Sequence, residues 1–162
     1  MKADDLGLLR ELHHDKMTQY LRHIAVAGLV SDYEFNNAYQ YVISREDTHL
    51  KWLEAGIAEF GGTPDSVATP TVTAAAGKKN EKFLPLVAED SRSSKELVDK
   101  WKPRAADIRS DRHRKLVGVI LGETLEQKRF FDQVGAGQDD LLGRRMAGAS
   151  TGDGVLPVRW RE

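Results

Sequence analysis

SDYEFNNAYQYVISREDTHLKWLEAGIAEFGGTP, residues 31–64, is the stretch whose reading decides the fold. Ser31 and Asp32 are side chains that cap a helix by accepting hydrogen bonds from its first free N–H groups. From there to Phe60 no proline intervenes, and Phe35, Ala38, Tyr39, Val42, Leu53, Ile57 and Phe60 recur at helical spacing. Glu46 and His49 fall on the same stripe. Gly61-Gly62-Thr63-Pro64 then stops the helix. The segment predicts one long amphipathic helix with an acid and an imidazole turned toward an apolar interior. Such groups are costly to bury unless paired or bound to something.

Working outward, residues 3–30 are free of proline and carry Leu6, Leu9, His13, Met17, Tyr20, Ile24 and Ala27 at three- and four-residue steps. That predicts a first helix, and the short join to the second makes the two antiparallel neighbours. Residues 61–81, rich in Gly, Pro, Thr and Ala, read as a long surface crossover in which TVTAAA is a candidate short helix. A third helix should begin near Leu84-Pro85, present Leu86, Glu89, Ser93, Leu97 and Trp101 on one face, and end or kink at Pro103. Ser110-Asp111 should cap a fourth, carrying Leu116, Val119, Ile120, Phe130 and Phe131 and fading at Gly135-Ala136-Gly137. The expected fold is all-α: an antiparallel four-helix bundle over residues 1–136, two hairpins joined by a long crossover, followed by a tail over 137–162. In that tail Val155, Leu156 and Trp160 are expected to pack on the bundle or on a second subunit.

Composition narrows the function. The 162 residues include no cysteine, which excludes disulfides, thiolate metal sites and cysteine nucleophiles. The formal net charge of −1 supplies no field toward nucleic acid or membrane, and no run reaches the length of a membrane span. The first residues lack the apolar run of a signal peptide. A soluble cytoplasmic protein is expected. The cations between Arg92 and Lys115 are interleaved with Glu96, Asp99, Asp107 and Asp111, the pattern of a solvated face.

Heights across the hairpins extend the first observation. Reflecting Glu46 through a turn at residues 29–31 lands close to His13, and reflecting Glu89 through the break near 106 lands at Glu123, which Glu126 follows at a three-residue step. Each hairpin then offers one ligand on its first helix and an i, i+3 pair on its second: His13 with Glu46 and His49, Glu89 with Glu123 and Glu126. Tyr20 and Tyr39 lie two turns from proposed ligands. His14 and His23 are expected near the surface, and His113 as a hydrogen-bonded histidine at the bundle end.

On these residues, over about 5–134 and best over LLRELHHDKMTQYLRHIAVAG and EDTHLKWLEAGIAEFGGTP, the chain resembles the ferritin-like superfamily, in particular bacterioferritin- and rubrerythrin-like di-iron carboxylate proteins. The family pattern is one Glu on each of two helices and a Glu-x-x-His on each of the others. Glu46, His49, Glu89 and Glu123 match it; His13 stands where the family has Glu, and Glu126 where it has His. The resemblance implies two iron ions, or manganese, bridged by Glu46 and Glu123, and oxidase or peroxidase chemistry on Fe(II), dioxygen or peroxide. It further implies a homodimer and an external electron donor. The tail is similar in composition to those that carry some ferritin-like proteins into encapsulin shells. A second expectation follows from the departures at 13 and 126: a metal-free bundle acting as a dimerisation or protein-binding module. In it His13 pairs with Glu46, and His49 with Glu123 or Glu126.

Overall fold

The computed structural model of the chain describes residues 4–138. Four helices account for most of them: α1 Asp5–Leu29, α2 Tyr33–Glu59, α3 Leu84–Ala105 and α4 Asp111–Gly135, with a short 3-10 turn, Lys79–Phe83, leading into α3. No strand occurs among the described residues. The starts follow from side-chain capping: Asp4 accepts from Gly7 N, Asp32 from Phe35 N and Ser110 from His113 N. Pro85 sits in the first turn of α3, and Pro103 lies inside its last turn, with Ala105 ending the helix two residues later.

The hairpins are α1–α2 and α3–α4, and they pack with α1 against α3 and α2 against α4. Cross-helix contacts fix the directions. Arg22 reaches Leu86, Gln19 reaches Ser93 and Glu11 reaches Arg104, so α3 runs antiparallel to α1 and parallel to α2. This up-down-down-up order makes the crossover travel the length of the bundle. Its first end is held where Arg10 pairs with Asp65 and where a Cβ on Gly62 would meet Leu6 Cδ1 at 2.5 Å. Its far end is held by Ala75 N to Lys82 O, 3.2 Å, and Asn80 to Asp32, 3.2 Å. TVTAAA is irregular chain within it; Val72 and Ala74 pack on the core without a helix. The expected tail contacts of Val155, Leu156 and Trp160 lie outside the described residues.

The core is in two apolar halves. One gathers Leu9, Leu12, Leu53, Ile57, Trp101, Val117 and Ile120 around the α3–α4 turn end. The other gathers Val26, Phe35, Tyr39, Val42, Val87 and Phe131 at the opposite end. Between them lies a belt of buried polar side chains: Lys16, Gln19 and His23 on α1, Glu46 and His49 on α2, Asp90 and Ser94 on α3, Thr124 and Gln127 on α4. Every helix contributes, so the belt is the place to look for function.

Candidate functional site

Lys16 is the centre of the belt. It lies one turn beyond Leu12 on the inner stripe of α1, and its side chain is wholly buried. Its Nζ donates to Glu46 Oε1 at 3.1 Å and to Thr124 Oγ1 at 3.4 Å. The Thr124 hydroxyl donates to Ile120 O at 2.8 Å, leaving its oxygen free to accept from Lys16. The other oxygen of Glu46 faces His23 Nδ1 at 2.7 Å. Burial alone would raise the Glu46 carboxyl, but the charges and hydrogen bonds of His23 and Lys16 hold it at about 2.

From His23 the network continues to α3. Its Nε2 stands 3.6 Å from Asp90 Oδ1, beyond hydrogen-bond range. Asp90 accepts from Arg22 Nε at 2.7 Å and from the Tyr39 hydroxyl at 2.5 Å. Burial, then the charge of Asp90, pushes the Tyr39 phenol far above its ordinary value, so it remains a donor. The His23 ring is boxed by Tyr39 and Phe131, centroids 6.1 and 5.1 Å away. The chain Lys16–Glu46–His23–Asp90–Tyr39 therefore crosses the bundle, with no wholly buried member open to solvent.

The six sequence-predicted ligands do not converge. Glu46 and His49 are buried on α2, as the i, i+3 spacing requires. His13 is also buried, but it lies near Glu54, 3.2 Å from Nε2 to Oε1, and Lys16 takes the place opposite Glu46. The α1–α2 turn is centred near residue 31 rather than just before it, which moves the level of Glu46 by about one helical turn along α1. Glu123 sits at the edge of the interior and meets His49 Nε2 at 2.5 Å while Arg45 clasps both its oxygens. Burial would raise the Glu123 carboxyl; Arg45 and His49 hold it below its ordinary value. Glu89 and Glu126 face outward and pair with Arg92 and Arg129 on their own helices. Their inward neighbours are Asp90 and Gln127: α3 and α4 are each turned about one residue from the predicted phase.

Histidine placement differs as well. His14 is half-exposed, whereas His23, expected near the surface, is wholly buried in the network. His113 is a capped histidine at the bundle end, 2.7 Å from Ser110 Oγ. Tyr20 is only partly buried and Tyr39 belongs to the network. Lys16, His23, Asp90 and Thr124 are the members that pattern reading did not select. For Lys16 and His23 the sequence signal is phase: 12, 16, 19, 23 and 26 make one helical stripe of α1.

The donor set does not fit a di-metal centre. Both oxygens of Glu46 are engaged by N–H donors, an ammonium stands where a cation would balance its charge, and two of the four proposed carboxylates lie outside. Among the described residues no group of three or more His, Asp or Glu side chains is placed to hold a metal ion. Fold and interior together define an up-down-down-up four-helix bundle built around a lysine-centred charge network. Comparison with models of known families, with curated proteins and with solved structures finds no match for this chain.

Acid should loosen this interior from a definite direction. Glu46 binds its proton at about 2 when folded, against an ordinary 4.5, so its contribution is present above pH 4.5 and is lost as pH falls toward 2. Burial, then the charge of Lys16, pushes the His49 imidazole below 6.5 despite Glu123, so the unfolded chain also takes up that proton first. Unfolding free energy should fall from below pH 6.5 and most steeply between 4.5 and 2. Urea titrations followed by circular dichroism across that range measure it, and a flat profile would contradict the assignment.

Proposed function

We propose that the chain is a metal-independent bundle of ferritin-like topology that serves as a protein-interaction module. The observation that carries this reading is Lys16: its ammonium, wholly buried, supplies to Glu46 the positive charge that a metal would otherwise bring. The up-down-down-up order with one long crossover is the connectivity of ferritin-like bundles. The His49–Glu123 contact is the pairing that a metal-free interior calls for. Lys16, Glu46, His23, Asp90 and Tyr39 are each wholly or almost wholly buried among the described residues.

The competing reading, a di-iron or di-manganese oxidoreductase, draws on one observation: His23 Nε2 and His49 Nδ1 are buried with no hydrogen-bond partner among the described residues. Anaerobic loading with Fe(II), removal of free metal, measurement of bound iron and exposure to oxygen or peroxide separates the two. The expected result is no iron above background and no ferric absorption band. Stoichiometric iron that is lost in Glu46→Ala would overturn the proposal.

A further inference from the structure

The belt holds buried side-chain atoms that the protein does not pair with one another. Gln127, on the inner stripe of α4 and 2% exposed, has no hydrogen-bond partner among the described residues for its amide nitrogen or its amide oxygen. Gln19 donates through Nε2 to Ser93 O at 2.9 Å, but its Oε1 is buried without a partner among the same residues, as is His49 Nδ1. The two hydrogen bonds of Lys16 use two of the three N–H groups of its ammonium and leave a third to place. Buried polar atoms left dry are costly and rare, so a group of them in one belt calls for a partner.

Register brings these atoms to neighbouring levels. Lys16 meets Thr124 and His23 lies against Phe131, so α1 and α4 run parallel. Gln19 and Gln127 each stand three residues beyond the first of these pairs, at one height across the bundle. Glu46 is reached by both Lys16 and His23 and occupies the same level on α2. His49 meets Glu123, one turn before Gln127 on α4. We infer that this layer binds internal water, held on the Gln127 amide and shared with Lys16, Gln19 and His49. The chemistry of the layer chooses the occupant. A cation would stand beside the Lys16 ammonium. An anion would meet Gln19 Oε1, Gln127 Oε1 and His49 Nδ1, which are acceptors. Burial, then the charge of Lys16, favours neutral His49, whose Nε2 faces the Glu123 carboxylate and so carries the proton, leaving a lone pair on Nδ1. Water is neutral and both donates and accepts. It can take N–H groups from Lys16 and Gln127 and return its own to the three acceptors, within the two to four hydrogen bonds a buried water makes. Ser94 and Thr124, both wholly buried, are short side chains in a layer flanked by cores that carry leucine, tryptophan and phenylalanine, and they leave room there.

The inference stands on the interior alone and does not depend on the role of the outer surface. Its test is water-selective NMR on the full-length, ¹⁵N-labelled chain after treatment with a chelator, with the Gln127 side-chain amide assigned through bonds. That amide should show water cross-peaks of opposite sign in NOE and ROE spectra, the mark of a water held far longer than surface hydration. Gln127→Met keeps the volume and removes the amide. With water bound, it strands the Lys16 N–H and His49 Nδ1 that the water served and should lower the melting temperature by about 3–6 °C. With Gln127 dry, the same change removes two unpaired polar atoms and should raise it. A wild-type Gln127 amide without long-lived water contact would overturn the inference, as would a Gln127→Met chain that melts above the wild type.

Discussion

Lys16→Met should be the most destabilising single change on α1, costing about 3–5 kcal/mol of unfolding free energy in urea titrations. Methionine fills much the same volume, so little of that loss is a cavity. The loss is electrostatic. Glu46, wholly buried, would keep His23 as its one close hydrogen-bond donor among the described residues, and its Oε1 would lose the 3.1 Å donor that now satisfies it. Thr124 would lose a donor as well. Removing both charges should be far gentler, because an ion pair replaced by packed apolar groups is often neutral. Lys16→Met with Glu46→Leu should recover at least half of the single-variant loss, the remainder reflecting an unpaired His23. A Lys16→Met cost below about 1 kcal/mol would show that Glu46 is not ionised against Lys16 in the folded chain.

Such a belt is poor value as pure stability, since each buried ion has to be stripped of water before its partner compensates it. What the belt does impose is register. Lys16 meets Glu46 and Thr124, and His23 lies between Glu46 and Asp90, so α1 faces all three other helices within about two helical turns. A slip of one helical turn in either hairpin would leave these charges unpaired in an apolar core, whereas leucines would tolerate it. The two apolar halves on either side are then held in fixed relation. The proposed role as an interaction module would depend on that fixed relation more than on a reactive interior.

How much of this was legible in the sequence depends on how cleanly each helix separates apolar from polar residues. α2 was readable along nearly its whole length, because Phe35, Tyr39, Val42, Leu53 and Ile57 mark the inner stripe and carry Glu46 and His49 with them; only Phe60 proves half-exposed. α1 was not, because it spends polar residues inside and apolar ones outside. Lys16, Gln19 and His23 are buried while Ile24 is 42% exposed, so following hydrophobicity turns the helix the wrong way. Lysine is among the residues least often buried, and nothing local distinguishes Lys16 from a surface lysine. α3 shows the same effect over its first half, where Asp90, Ser91 and Ser94 face inward; taking Leu86 rather than Val87 as the inner residue puts Glu89 in place of Asp90. One residue is 100° of helix, enough to exchange a buried carboxylate for an exposed one. The capping signals fared better because they are local: Asp32 and Ser110 begin their helices by their own side chains.

Asp90→Ala should be nearly as damaging as loss of Lys16, at about 3–4 kcal/mol, and the route differs. Asp90 is the acceptor at which α1, α2 and α3 meet. The Tyr39 hydroxyl, wholly buried, donates to it at 2.5 Å, and Arg22 at 2.7 Å. Arg22 is partly exposed and can turn its guanidinium to water, so its share of the loss is small. Tyr39 has no such escape: its phenol is protonated and its hydroxyl would stay dry and unpartnered, at about 1–3 kcal/mol. The rest comes from the lost carboxylate charge beside His23 and Arg22. Two further variants divide these contributions. Asp90→Asn keeps an acceptor for Tyr39 but no charge and should cost about 1–2 kcal/mol. Tyr39→Phe removes the stranded donor, so in the Asp90→Ala background it should cost little or nothing. The coupling between positions 39 and 90 in a double-mutant cycle should therefore be about 1–3 kcal/mol. Additive losses would mean that Tyr39 finds another acceptor, and that Asp90 acts only through its charge on the α1 side of the network.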